Sequence, residues 1–529
     1  HSEPEVQAMD TPTCGPDGSY GLTSKWPVSL DLAGSNLPCR LEGEIADLVV
    51  LGELPKELSG TFYRVMVDPF VPPDERNVPI DGDGSISAFR FHQGKVDMKM
   101  RYIETERYKL ERKAQTALFG LYRNPYTHHP CVRAAVDSTA NTNLVYWAGH
   151  LLALKEVALP YAVHPTTLET ISYDPFAGEI NSKTFTAHPK VDPQTGELVV
   201  FGYEATGLGS LDIVTYALDQ HGKKTNEFWL KSPWCAFIHD CAITTNFIVL
   251  LLWPFEADVE RMKQGKQHWA WSYDRPATFI VVPRLSSTAR HGWQQGEYRV
   301  YSWKNCMAIH TAGAWEEDGK IFVESSRVHD NAFPFFPTKE GILPSTTKGD
   351  FVRWTLDLTQ PTGSTIEDPL VLLDLPCEFP RIDERFLGVR YEWVFLNAFV
   401  PHANGSGDKN IFQGLNGLAM HNNRTNETRF FYAGDESLCQ EPIFIPRSET
   451  EGDGWVMTLI ERKALNRCEI AVIDTAHFEK PVAIVQLPFH VKAQIHGNWV
   501  SSSVLPAATS LVKQYKHLEV SRKGALEPL

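Results

Sequence analysis

A chain of 529 residues, 43% hydrophobic and carrying 28 Phe, 17 Tyr and 14 Trp, has the means to bury a large core, which excludes wholesale disorder. A net charge of −15 argues against a phosphate-backbone partner such as nucleic acid. The longest clean apolar stretch, Phe247 to Phe255, falls well short of the ~20 residues a bilayer-crossing helix requires.

In chain order, the opening residues HSEPEVQAMD show no basic-then-apolar leader, and residues 1–40 read as an N-terminal arm. From about residue 41 to 505 short extended runs alternate with turn residues, and no Pro/Ser-rich linker or charge block divides them, which points to a single β domain. Asn143 to Glu156 is rich in strand formers around a hairpin turn at Gly149, and Ile213 to Leu230 breaks at DQHG (219–222). Gly313 to Val328 breaks at Asp318–Gly319, Phe351 to Leu373 breaks at PTGS (361–364), and Gly454 to Leu487 holds further strand-like runs. This spacing predicts an all-β sandwich, barrel or propeller. Helical signals are confined to Ala114–Arg123 and Asp258–Trp271, and residues 506–529 read as a C-terminal tail.

Nine cysteines, an odd number with no C-x-x-C pair, read as a reduced set and hence a cytoplasmic protein. A bridge between Cys14 and Cys39, and the sequons headed by Asn404, Asn423 and Asn426, would instead suit secretion. There is no phosphate-binding loop, HExxH or GxSxG motif. The segment Asp81-Gly82-Asp83-Gly84 opens like a calcium loop but has His92 where the bidentate carboxylate belongs, so a tight hairpin turn is expected there.

Four of the 19 histidines stand where an apolar run meets a turn: His188 in TAHPKVDPQTGEL, His239 in FIHDCAITTNFIVL, His310 in MAIHTAGAWEEDGKIFVE and His496 in QIHGNWV. Their wide separation rules out a zinc finger but suits a propeller axis, to which each blade can contribute one side chain.

Across about residues 45–500 the chain resembles the carotenoid cleavage oxygenases, and within them the stilbene-cleaving (lignostilbene-type) branch. The resemblance rests on TANTNLVYW (139–147), LLALKE (151–156), TFTAHPK (184–190), IHDCAIT (238–244), CEFPRID (377–383), EPIFIPR (441–447) and IHGNWV (495–500). It implies a seven-bladed β-propeller with a helical and loop dome over one face and a non-haem Fe(II) held by His188, His239, His310 and His496. Glu156, Glu378 and Glu441 match the family's glutamates, which accept the outer N–H groups of three of those rings and leave the fourth histidine without a glutamate partner. Thr142 matches the residue that crowds a vacant position at the iron.

In the stilbene-cleaving branch a tyrosine and a lysine grip the para-hydroxyl of the substrate, and Tyr122 and Lys155 match them. Tyr126 is the alternative tyrosine, because HHPC (128–131) suggests an insertion nearby. Strand alternation is expected to point Lys155 and Glu156 to opposite faces. Phe333 and Phe335, in FPFFP (333–337), are candidates for the substrate tunnel wall or for dome packing. The resemblance thus implies an Fe(II)-dependent dioxygenase that cleaves the double bond of 4-hydroxyphenyl alkenes with O2 to aromatic aldehydes, acting on stilbenes such as resveratrol or phenylpropenes such as isoeugenol and 4-vinylguaiacol. The alternatives are a carotenoid or apocarotenoid cleaver, against which the polar Asp258–Trp271 segment speaks, and a propeller that only binds ligands.

Overall fold

The computed structural model describes residues 19–33, 36–284, 292–401, 414–506 and 510–514, together with Gly524 and Pro528. Its strands form seven sheets that follow one another along the chain as the blades of a propeller. Blade 1 contains Gly60–Val67, Gly84–His92 and Lys95–Tyr102, with Gly43–Ile45 at its outer edge. Its inner edge is supplied from the other end of the chain by Gln494–Ser501, which pairs antiparallel with Gly60–Val67 and closes the ring. Blade 2 spans Asn143 to Tyr173, blade 3 Lys190 to Lys231, blade 4 Ala236 to Ser302, blade 5 Met307 to Leu373 and blade 6 Cys377 to Tyr432. Blade 7 spans Ser437 to Gln486 and takes Val50–Gly52 as its outer strand.

The ring is held by seven hydrophobic cores among the described residues, one between each pair of neighbouring blades. Because side chains alternate along a strand, successive residues enter different cores. Phe62 packs toward blade 7 while Tyr63 packs toward blade 2, and Val249 packs toward blade 5 while Leu250 packs toward blade 3. This explains why strands such as Phe247–Ala257 (FIVLLLWPFEA) are apolar throughout: both faces are buried. Each large side chain buried in this way contributes ~1.5–3 kcal/mol.

The predicted hairpins are present. Ala148 (φ 48°) and Gly149 (φ 81°) form a two-residue turn of the left-handed type that matches strand twist, as do Asp318 (φ 51°) and Gly319 (φ 73°). Several sequence expectations fail for local reasons. The first helix is Glu106–Ala114, not Ala114–Arg123: Thr105 caps its N-terminus by accepting from Tyr108 N, and Gln115, left-handed at φ 56°, ends it. Within Asp258–Trp271 only Val259–Lys263 is α-helical, capped by Asp258, and Trp269–Trp271 is a strand. Asp81–Gly84 is not a hairpin turn. It ends the long loop between Val67 and Gly84, with Asp81 buried against Arg107 and Asp83 accepting from Phe70 N.

Within the expected C-terminal tail, Leu511 and Val512 are buried beside Tyr63 and Leu144. The eight cysteines among the described residues are all free. Cys14 and Asn404 lie outside the described residues. Asn423 is buried and donates to Glu324, which removes it as an acceptor of a glycan, whereas Asn426 is exposed. No helix among the described residues is long and apolar enough to cross a membrane.

Candidate metal centre and active site

The inner edges of four blades bring His188, His239, His310 and His496 together, with one candidate ligand atom of each within 4.8 Å of the others. His188 lies two residues before the inner strand of blade 3, Lys190–Val191, and His239 lies between the short strands Ala236–Phe237 and Cys241–Ile243. His310 sits where the pairing of Met307–Glu317 with Lys320–Val328 slips register, a bulge that re-aims its side chain. His496 stands before Gly497, where a Cβ would meet the Phe62 ring at 2.7 Å and the Tyr63 carbonyl at 2.8 Å. The Gly of IHGNWV is therefore required by the close approach of the closing strand to blade 1.

Three of the rings are fixed from behind. His310 Nδ1 donates to Glu378 Oε2 (2.6 Å), His496 Nδ1 to Glu441 Oε2 (2.8 Å), and His239 Nδ1 to Glu156. His188 has no glutamate partner among the described residues. Glu378 lies at a second bulge, beside Phe379, whose φ of 50° is unusual for a bulky residue. The Phe379 ring stacks on His310, with centroids 5.2 Å apart.

With Nδ1–H committed to a carboxylate, Nε2 of each ring carries a lone pair. The Nε2 atoms of His239 and His310 lie 3.0 Å apart, and His188 Nε2 lies 3.0 Å from His239 Nε2. The buried Nε2 of His496 has no hydrogen-bond partner among the described residues. Burial, reinforced by the other three rings, holds His188 well below the usual histidine range, and burial also lowers His496 despite Glu441. Despite burial, the Glu378 carboxylate holds His310 above the usual histidine range. Buried imidazoles whose Nε2 atoms converge fit a divalent transition-metal ion, which takes the place of any proton there.

The cluster borders two cavities. One, of about 260 Å³, is polar and lined by Lys190, Asp240, Arg381 and Glu384 together with His188, His310 and His496. The larger, of about 630 Å³, is reached by His239, His310 and His496 and is walled by Phe237, Trp253, Phe333 and Phe335. Tyr122, Thr142, Lys155 and Glu156 also line it. Phe336, from the same FPFFP loop, is fully buried against Tyr122 and Phe255 instead. Tyr126 is 43% exposed and lies outside the cavity, so the structure places Tyr122 there and not its alternative.

Lys155 and Glu156 line the same cavity, contrary to strand alternation, because the strand His150–Leu154 ends one residue earlier. The Lys155 ammonium, 5% exposed, donates to the Ile80 carbonyl and to Asn141 Oδ1, each at 3.0 Å, and lies 5.1 Å from the centre of the Tyr122 ring. It forms no ion pair among the described residues. Burial pulls its pKa down to about 8, against the opposing pull of Asp81 and Glu156. Burial and then Glu156 push the Tyr122 hydroxyl far above the usual tyrosine range, so it stays a neutral donor.

Sequence reasoning passed over three supports of this site. Asn141 donates through Nδ2 to the carbonyls of Ile80 (3.1 Å) and Gly82 (2.8 Å), and accepts at Oδ1 from both Lys155 and Thr142 (3.0 Å each). One amide thus joins the cavity's lysine to the threonine beside it, a role that the quoted ANTN motif contained without disclosing. Tyr203 donates to Glu156 Oε2 (3.0 Å) and accepts from Arg123 (2.9 Å). Arg123 in turn pairs with Glu204, whose carboxyl Arg123 and His268 bring down to about 2 against burial. The segment carrying Tyr122 is pinned by Glu111, which accepts from Leu118 N and Phe119 N, and by His128, which accepts from Gly120 N. Such buried polar contacts leave no periodic trace in a sequence.

Replacing His310 by Ala should lower metal content to a small fraction of the parent's in elemental analysis, and full loading would exclude His310 as a ligand. Asn141→Leu should keep metal content near that of the parent while kcat/KM falls about tenfold or more, the loss of a hydrogen bond to a charged group. An unchanged kcat/KM would make Asn141 a packing residue only.

Known proteins place this geometry. Residues 36–501 match the family described as RPE65, retinal pigment epithelial membrane protein. The chain is 70% identical to the resveratrol cleavage oxygenase 1 of Botryotinia fuckeliana, covering 96% of this chain and 92% of that protein. It is 36% identical to the isoeugenol monooxygenase of Pseudomonas nitroreducens, over 89% and 97% of the two chains. The crystal structure of Pseudomonas brassicacearum lignostilbene dioxygenase superposes with a TM-score of 0.85 at 38% identity, covering 91% of this chain and all of that one. The chain belongs to the RPE65 family of carotenoid oxygenases, and it is an alkene-cleaving dioxygenase.

Proposed function

We propose that the protein cleaves the central double bond of 4-hydroxystilbenes with O2, using a ferrous ion held by His188, His239, His310 and His496, to release two aromatic aldehydes. The similarity to a resveratrol cleavage oxygenase supports this substrate class. The observation that carries the reading is the Lys155 ammonium, buried in an aromatic cavity without an ion-pair partner and with Tyr122 beside it. Burying an ammonium without a direct ion-pair partner is costly even with Asp81 and Glu156 acting on it from a distance, and a cavity evolved for a hydrocarbon polyene gains nothing from it. A phenolic oxygen completes the site, accepting from Lys155 and from the Tyr122 hydroxyl.

The ferrous ion, when bound, supplies the activation of dioxygen, whose two atoms leave in the two aldehydes. The residues of the chain supply position and charge. Lys155 favours the phenolate form of the bound ring, which raises electron density at the conjugated double bond. Asn141 and the Ile80 carbonyl hold the ammonium in place, and Thr142, which donates to the same Asn141 oxygen, lines the cavity with the histidines. The phenylalanine wall orients the alkene and excludes water. Aromatic substrates without the para-hydroxyl lose the contact that the buried lysine is built to make.

Lys155→Met should remove most cleavage of 4-hydroxystilbenes, at least ~100-fold in kcat, with metal content near normal. Unchanged turnover in that variant would refute the phenolate role. A small-molecule assay comparing resveratrol with an apocarotenal separates this reading from carotenoid cleavage. The pH profile is a further test. Free Lys155 titrates near 8 and a free phenol near 10. Below pH 8 the enzyme brings an ammonium and the substrate a neutral phenol, so forming an ammonium–phenolate pair releases a proton. Above pH 8 the neutral amine takes up the phenol's own proton and none is released. The log of kcat/KM should therefore rise with pH at about one unit per pH unit up to about pH 8 and level off toward pH 10. A profile flat from pH 6 to 8 would show that the phenol binds un-ionised.

A further inference from the structure

Around the metal centre a side-chain hydrogen bond crosses each of the seven junctions between blades. Glu378 of blade 6 accepts from His310 of blade 5 (2.6 Å), Arg381 of blade 6 donates to Glu441 of blade 7 (3.1 Å), and Glu441 accepts from Gly497 N of blade 1 (3.0 Å). Asn498 of blade 1 donates to Asn143 of blade 2 (3.2 Å), and Asn143 donates to the Ala187 carbonyl just ahead of blade 3 (2.9 Å). Lys190 of blade 3 donates to Asp240 of blade 4 (2.9 Å), and Asp240 accepts from Thr311 N of blade 5 (2.8 Å). Lys190, Asp240 and Thr311 line the smaller, polar cavity together with His188 and His310.

Glutamates fix three of the four histidines through their rings, whereas His188 is fixed through its backbone. Its N–H donates to Thr186 Oγ1 (2.9 Å), the carbonyl before it accepts from Asn143, and two residues further on Lys190 is tied to Asp240. Asp240 is the hub of this arrangement and is 1% exposed. Its Oδ1 accepts from Lys190 Nζ and from Cys241 N (2.7 Å), and its Oδ2 accepts from Thr311 N, with the Thr311 hydroxyl 3.1 Å away. An ammonium and a backbone N–H can only donate, so both carboxylate oxygens are needed as acceptors. The residues that meet here stand beside three ligands: Lys190 two after His188, Asp240 one after His239 and Thr311 one after His310. Sliding any of these inner strands past its neighbour breaks a charge-assisted hydrogen bond in a buried site.

We propose that Asp240 is a positioning residue of the metal centre, which does for His188 through the chain what the glutamates do for the other three histidines through their rings: it locks blade 3 to blades 4 and 5 within two residues of three ligands. This rests on the reading of the four histidines as metal ligands. Asp240 acts through Lys190, Thr311 and its own backbone, and His188 is the ligand that its loss displaces most.

Asp240→Asn keeps the size of the side chain and turns one acceptor into an NH2 donor, which then opposes either Thr311 N–H or the Lys190 and Cys241 donors. The Kd of the parent and the variant for ferrous ion is read by competition with a chelator. The visible d–d bands of the cobalt(II)-loaded proteins report ligand number and geometry, and the thermal midpoint of the metal-free protein is measured alongside. Asp240→Asn should raise the Kd about tenfold or more and change the cobalt bands. A lowered midpoint with parental Kd and bands would overturn the proposal and leave Asp240 as a tie between blades only. Lys190→Met keeps the Cys241 and Thr311 contacts and should raise the Kd about threefold or more, the loss of one hydrogen bond to a charged group. It decides the matter if Asp240→Asn fails to fold, and a parental Kd in Lys190→Met would overturn the role claimed for His188. A parent that takes up neither ion would instead overturn the metal centre itself, and this role with it.

Discussion

Lone pairs on buried imidazole nitrogens, facing one another at 3.0 Å, are the constraint around which this molecule is arranged. The carboxylates behind three of the rings take their Nδ1–H groups and turn Nε2 acceptors to the centre, where among the four only His188, with no carboxylate behind it among the described residues, can offer a proton in its place. A cation is the one species that turns this repulsion into cohesion. The arrangement also accounts for the glutamates, which would be costly beside apolar strands without their histidine partners. Arg381 adds to this by pairing with Glu441, which together with His496 keeps that carboxyl below its ordinary range despite burial.

Holding four such rings in place requires a scaffold that cannot relax. The closed ring of sheets provides it, since each blade is wedged between two neighbours by its own pair of cores. The closure itself is part of the site: the strand that completes blade 1 carries His496. Its approach is so close that Gly497 admits no side chain. Fold stability and site geometry are therefore coupled at this strand more directly than anywhere else in the chain.

Much of this was legible in the sequence, for identifiable reasons. Strand-forming runs punctuated by DG, HG and AG turns are local signals, and the hairpins at Gly149, Gly222 and Gly319 formed where those signals stood. The histidines and glutamates sit in motifs specific enough to be read across from relatives. The errors have a common cause in tertiary context. The helix at Glu106–Ala114 depends on a threonine cap and a left-handed glutamine, and Asp81–Gly84 is occupied by buried contacts to Arg107 and Phe70 that no local pattern encodes. Lys155 and Glu156 share a cavity because a strand stops at Leu154, and a single residue decides which face a side chain takes. Asn141 and Asp240 are common polar residues on or beside strands, and what distinguishes them is the identity of their partners, visible only in three dimensions.

The distribution of polarity in the larger cavity bears on how such an enzyme can be selective at all. An apolar wall discriminates weakly, because adding or removing a few carbon atoms changes binding by only ~1–3 kcal/mol. Buried donors discriminate strongly, since a molecule that fails to pair them leaves their desolvation uncompensated. Lys155 illustrates the principle on the reading proposed above: its two acceptors, Ile80 O and Asn141 Oδ1, orient the ammonium without neutralising it and leave one of its three N–H groups for a phenol. A relative with an apolar residue at this position would keep the histidine cluster and the propeller and lose that requirement for a phenol. Changes of substrate within one such scaffold can therefore be sought in the few polar side chains that interrupt the apolar wall, with the metal centre left as it is.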